Sequence, residues 1–91
     1  MDFQYTDSKI FLTDENGKII AEVDFDKMPD GVRNISHTFV DSSLRGQGVA
    51  GKLLAACAKK IEENNEKVIP TCSYAVTWFE KHPEYSHLLN D

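Results

Sequence analysis

The chain has 91 residues, 41% of them apolar, and a net charge of −5. That is room for one domain, residues 1–91, with a core just large enough to stand alone; it is too short for a full doubly wound dinucleotide-binding domain and too apolar for disorder. No apolar run approaches the roughly 20 residues that span a bilayer, the start MDFQYTDSK lacks a basic-then-apolar leader, and the acidic balance argues against a nucleic-acid partner, which wants a basic stripe. The expectation is a cytoplasmic protein with no membrane contact, its acidity serving solubility.

The elements follow in chain order. SKIFLTDENGKIIAEVDF reads as a hairpin. Ile10 and Leu12 share one face of the first strand, and Asn16-Gly17 marks the turn. Ile19, Ala21, Val23 and Phe25 then alternate with Lys18, Ile20, Glu22 and Asp24, a period of two. Pro29, Asp30 and Gly31 break the chain again. The next strand runs from Val32 to Val40; simple alternation puts Ile35, His37 and Phe39 on one face, with Ser36, Thr38 and Val40 on the other. After DSSLRG the period changes. Val49, Ala50, Leu53, Leu54, Cys57, Ala58 and Ile61 recur at helical spacing and leave Lys52, Lys59, Lys60, Glu62 and Glu63 outside. This helix starts near Gly46 to Gly48 and ends at Asn64-Asn65. KVIPTC is a short strand, SYAVTWFEKH a second helix stopped before Pro83, and PEYSHLLND a tail. The order is strand, strand, strand, helix, strand, helix. A helix between two strands predicts a parallel pair, placed at the sheet centre. The fold class is α/β or α+β, with a mixed, mainly antiparallel sheet.

Cys57 and Cys72 are the two cysteines, without a C-x-x-C, and His37, His82 and His87 lack metal-ligand spacing. Neither a disulfide framework nor a zinc site is expected. Lys59-Lys60 with Glu62-Glu63 read as a solvated face with local ion pairs.

The stretch LRGQGVAGKLL, Leu44 to Leu54, matches three phosphate-binding patterns. Gly46, Gly48 and Gly51 spell the dinucleotide fingerprint. Gly46 with Gly51-Lys52 spells most of a P-loop. Arg45, Gly48 and Ala50 spell R-x-x-G-x-A. All three use glycine to bring backbone N–H groups of a helix N-terminus close to phosphate oxygens. The dinucleotide pattern expects an acidic residue about 20 positions on, at the end of the next strand; Thr71-Cys72 stands there instead. The P-loop needs Ser or Thr after its lysine; here it is Leu53. A fourth possibility is a plain helix start. Two glycines there cost stability, about 0.5–1 kcal/mol each inside a helix, which a chain tolerates more readily when its backbone has a ligand to meet.

The third pattern extends furthest. TFVDSSLRGQGVAGKLL resembles the core motif of the GNAT superfamily of N-acetyltransferases, in which an apolar strand end, a short loop and R/Q-x-x-G-x-G/A open a helix. Gly46 to Ala50, Pro70-Thr71-Cys72 and His82 to Tyr85 resemble a small single-domain GNAT-like subgroup with a strand-end cysteine. The resemblance runs from about Ile35 to Tyr85. It implies a bound acetyl-coenzyme A (acetyl-CoA), with backbone N–H groups from Gln47 through Gly48, Val49 and Ala50 to Gly51 on the pyrophosphate. Arg45 and Gly46 would shape the loop, Lys52 would add charge, and the backbone of Phe39 and Val40 would face the pantetheine arm. The implied activity is transfer of an acetyl group to an amine, on a small molecule or a peptide.

Such transfer needs a neutral amine, a polarised carbonyl and a proton for the leaving thiolate. Larger members of the resembled family use a helical tyrosine as the acid; Phe79 stands in that place and has no proton to give. Cys72, before a helix whose N-terminus favours thiolate, is the candidate acid or acyl carrier. His37 is the candidate base. Tyr74 is a further candidate acid. Cys57, Trp78 and Phe79 read as core, and His82 and Tyr85 as fastenings of the tail. The rival readings are a non-catalytic coenzyme A-binding module and an interaction domain with a vestigial glycine loop.

Overall fold

The computed structural model describes residues 2–90. Five strands form one sheet in the order of the chain: β1 (Gln4–Tyr5), β2 (Lys9–Thr13), β3 (Ile19–Met28), β4 (Val32–Val40) and β5 (Lys67–Pro70). The first four pair antiparallel and β5 runs parallel to β4. The crossover between them is α1 (Val49–Glu63), and α2 (Ser73–Lys81) follows β5. Short 3-10 turns cover Pro29–Gly31, Ser42–Leu44 and Pro83–Leu88. The mixed, mainly antiparallel α/β class is thus as expected. Two details differ. The sheet gains the two-residue β1, too short to announce itself by alternation. The parallel pair lies at the sheet's edge, because among the described residues only a single bridge, Leu89 to Val68, follows on the outer side of β5. No helix among the described residues is long and apolar enough to cross a membrane.

The core lies between one sheet face and the helices. Ile10, Ala21, Val23, Phe25 and Ile35 face Leu53, Leu54, Cys57, Ala58 and Ile61, all at most 1% exposed. Each fully buried aliphatic side chain contributes about 1.5–3 kcal/mol, so packing decides the helix register. Burial pushes the Cys57 thiol up to about 12, as befits a core residue. The loss of hydration outweighs the opposing pull of the Arg33 charge. Arg33 is itself 2% exposed. Its Nε donates to both Glu66 carboxylate oxygens at 3.0 Å, and its NH1 group donates to the carbonyls of Asp7 and Phe25 at 2.8 Å. A buried guanidinium with its donors met in this way ties the start of β4 to the connection between α1 and β5.

One irregularity positions everything that follows. Asp24 pairs with His37 but Phe25 pairs with Ile35, so Ser36 is an extra residue in β4. This β-bulge reverses the alternation. Ile35 faces the core, and past the bulge the core-facing side passes to Thr38 and Val40, while His37 and Phe39 turn to the uncovered face. The shared face of Ile35, His37 and Phe39 expected from strict alternation is therefore corrected.

Candidate active site

The carbonyl of Ile35 accepts from the amides of Thr71 and Cys72, both at 3.1 Å. Pairing between β4 and β5 covers Val32 to Ile35 and ends there. Beyond it the chain after β5 turns into α2, and among the described residues no strand lies beside Ser36 to Val40 on that side. The result is a notch at the carboxyl end of a parallel pair, where ligands gather in open sheets.

Cys72 sits at the head of the notch. It is not the last residue of β5, as the sequence suggested, but the N-cap of α2. Pro70 closes the strand, and Cys72 keeps extended geometry with ψ 140°. Its Sγ accepts from the Ala75 amide at 3.3 Å and lies 3.3 Å from Thr38 Oγ1. Thr38 was not singled out by sequence reasoning, because alternation without the bulge points it the other way. The signal that could have found it is the mismatch of β3 and β4, whose inward apolar sets fit only if β4 holds one extra residue.

The glycine loop lies at the other end of the notch. Gly46 and Gly48 hold φ of 83° and 68°, the left-handed region that favours glycine. Gly48 is the N-cap of α1 and has no side chain to cap it. The amides of Gly48, Val49, Ala50 and Gly51 meet no acceptor among the described residues; the first amide to close a helical turn is that of Lys52, onto the Gly48 carbonyl at 3.1 Å. Free amides at a helix start carry the positive end of the dipole, an anion site in physical terms. A Cβ on Gly46 or Gly48 would meet no atom within 4 Å, so the space over both is open. Gln47 is exposed, whereas the Val49 side chain is buried and offers only its amide. Arg45 is exposed and lines a hollow of about 250 Å³ with Val40, Asp41 and Ser42.

A larger groove, about 380 Å³, runs between α1 and α2 from this loop. Gly48, Gly51 and Lys52 line one wall, and Tyr74, Trp78 and Lys81 the other. Tyr74 Oη lies 3.9 Å from where a Gly51 Cβ would stand. The spacing of Tyr74, Trp78 and Lys81 was a legible sign of this wall, but without the second helix in place it reads as core or surface. Trp78 and Phe79 are 5% and 4% exposed, as expected of core. The His82 ring stacks on Trp78 at 4.0 Å, and its Nδ1–H donates to the Trp78 carbonyl at 2.7 Å, closing the groove's far end. Glu62 pairs with His87, not with the neighbouring lysines, at 2.7 Å.

His37 stands across the sheet from these groups. It is exposed, opposite Asp24 and beside the partly exposed Phe39. Burial, then the Glu22 carboxylate, hold the Asp24 carboxyl above its usual range, while Lys9 and His37 draw it down. Lys9 Nζ lies 2.6 Å from Glu22 Oε2 and 3.7 Å from Asp24 Oδ1. The structure thus brings Thr38 and Cys72 together on the helix side and leaves His37 on the open side.

Residues 9–88 match the GCN5-related N-acetyl-transferase family. The chain belongs to that family. A GCN5-like protein from Staphylococcus aureus, solved by NMR, is 32% identical, with 98% of this chain and 87% of that one covered and a TM-score of 0.81. An acetyltransferase from Bacillus cereus is 25% identical at TM-score 0.65, over 81% of this chain and 54% of that one. The GNAT-family N-acetyltransferase YhbS from Escherichia coli, crystallised with CoA, shares the fold at 23% identity and TM-score 0.62, over 76% of this chain and 42% of that one. A search of curated proteins returns no match. This GNAT domain therefore carries the family's fold over about half the length of the latter two proteins.

Proposed function

We propose that the chain is an acetyl-CoA-dependent N-acetyltransferase acting on an amine of a small molecule or a peptide. The observation that carries the reading is the run of unmet amides from Gly48 to Gly51 in a chain whose β4 edge is left unpaired beyond Ile35. Pyrophosphate suits those amides, Lys52 adds a charge beside them, and Arg45 adds another at the hollow by Val40. The backbone of Phe39 and Val40 borders the notch along which a pantetheine arm would run. The YhbS complex with CoA supports the choice of ligand.

Bound acetyl-CoA supplies a thioester carbonyl open to attack. The residues of this chain manage its protons. Cys72, whose sulfur accepts from the Ala75 amide, gives its proton to the departing sulfur as the acyl carbon–sulfur bond breaks. His37, on the open face, takes the proton lost by the amine as the new carbon–nitrogen bond forms. The bulge explains how the two stand on opposite sides: cofactor reaches the notch from the helix side and amine from the open face.

The second reading is a coenzyme A-binding module without turnover. Phe79 favours it, being buried where the resembled family has a tyrosine acid. Calorimetry with coenzyme A tests binding, and release of free thiol from acetyl-CoA over a panel of amines tests turnover. Binding with no thiol release under any amine selects the module.

A further inference from the structure

We propose that Thr38 is a positioning residue for Cys72, its hydroxyl holding the sulfur at the point where β4 and β5 part and serving it both as thiol and as thiolate. The inference rests on the acetyltransferase reading, in which Cys72 gives up a proton.

Cys72 Sγ has two polar neighbours among the described residues, the Ala75 amide and the Thr38 hydroxyl, each at 3.3 Å. Among the described residues no charged side chain is bonded to it. The two neighbours are not equivalent. An amide can only donate, so it meets a sulfur lone pair but cannot receive the S–H proton. A hydroxyl accepts and donates, and turns about its C–O bond to do either. While Cys72 is a thiol, Thr38 Oγ1 accepts its proton. Once that proton has gone to the leaving sulfur, the hydroxyl turns and donates its own hydrogen to the thiolate. Threonine keeps its proton throughout, and no backbone has to move. Hydrogen bonds to a charged acceptor are the stronger ones, so the hydroxyl favours the state the reaction passes through.

The bulge at Ser36 makes this contact. Without the extra residue Thr38 would face the open side and His37 would face the sulfur. Threonine also suits the place as a β-branched residue, whose side chain is stiff in a strand.

The test is the rate of Cys72 alkylation by iodoacetamide, followed by peptide mapping from neutral to alkaline pH. Thr38→Val keeps the shape without the hydroxyl, and Thr38→Ala removes it without adding bulk. Both should slow alkylation at neutral pH by about threefold or more and move the midpoint of the profile upward, whereas Thr38→Ser should stay near wild type. Cys57, buried in the folded chain, should be labelled only on unfolding and so reports it in the same digest. Wild-type profiles in Thr38→Val and Thr38→Ala with Cys57 unlabelled would overturn the proposal. So would equal slowing in Thr38→Ser, and so would unfolding of both hydroxyl-free variants, which would make Thr38 a packing residue. The assay contains no coenzyme A, so failure of the acetyltransferase reading shows separately, in the calorimetry.

Discussion

The Ile35 carbonyl and the Cys72 amide, 3.1 Å apart, mark the last backbone link between β4 and the chain leaving β5. Past that bond β4 continues alone to Val40 while the chain after β5 turns into α2. The notch is thus a consequence of three local features: Pro70 closing a short strand, Cys72 capping a helix, and a bulge at Ser36 re-aiming the side chains of β4.

Cys72 holds two roles, and substitution separates them. Cys72→Ser keeps a side chain that can accept from the Ala75 amide, so α2 stays capped. It loses the soft, acidic thiol, so it should keep cofactor and lose turnover. Cys72→Ala should lose turnover and some stability, roughly 0.5–2 kcal/mol by analogy with other caps. Peptide mapping should find Cys72 alkylated before the buried Cys57, and protected by coenzyme A. Wild-type turnover in both variants would return Cys72 to a purely structural role.

At Gly48 the backbone and the ligand make the same demand. Its φ of 68° strains any side-chain residue, by about 1–2 kcal/mol for most. Asparagine tolerates this region better. Gly48→Asn should therefore melt close to wild type, while its side chain intrudes over the free amides. Gly48→Val should weaken coenzyme A binding at least tenfold, about 1.4 kcal/mol, and Gly48→Asn should weaken it also. Unchanged affinity in the folded Asn variant would place the pyrophosphate elsewhere.

His37 is exposed, so its loss should cost little stability, within about 0.5 kcal/mol for an ordinary surface change. His37→Ala should lower turnover more than it lowers cofactor affinity, most visibly on the acid side of the pH–rate profile. A folded variant with the wild-type profile would remove His37 from the reaction.

Asp24 gives a pH dependence of known sign. Its carboxyl is held above the ordinary 3.8 by burial and by Glu22. A carboxyl raised on folding favours the folded state when protonated. Its contribution is complete below 3.8 and is lost as pH rises through the folded value. Asp24→Asn should therefore raise the melting temperature at neutral pH, and the gain should vanish in acid. A lower melting temperature at neutral pH would mean that the attraction of Lys9 outweighs the burial.

Where a pattern was local, the sequence made it legible. Helical spacing from Val49 to Ile61 marked α1, and the glycines with Arg45 marked its anion-binding start. Pro83 stopped α2. What stayed hidden was set by partners distant in the chain. The bulge at Ser36 depends on the register of β3, so alternation alone put His37 beside Ile35 and turned Thr38 away from Cys72. Nothing local marks Arg33 as buried, because its partners Glu66, Asp7 and Phe25 lie in other elements of the chain. The groove needed both helices, since neither face of small or aromatic residues makes a cavity alone.

The central claim is that coenzyme A lies against the start of α1 and runs along the free edge of β4. Titration of the nitrogen-15-labelled protein with coenzyme A, followed amide by amide, addresses it directly. The account predicts the largest shifts at Gly46 and from Gly48 to Gly51, with further shifts at Thr38, Phe39 and Val40. Saturating coenzyme A that leaves those amides unmoved would contradict it.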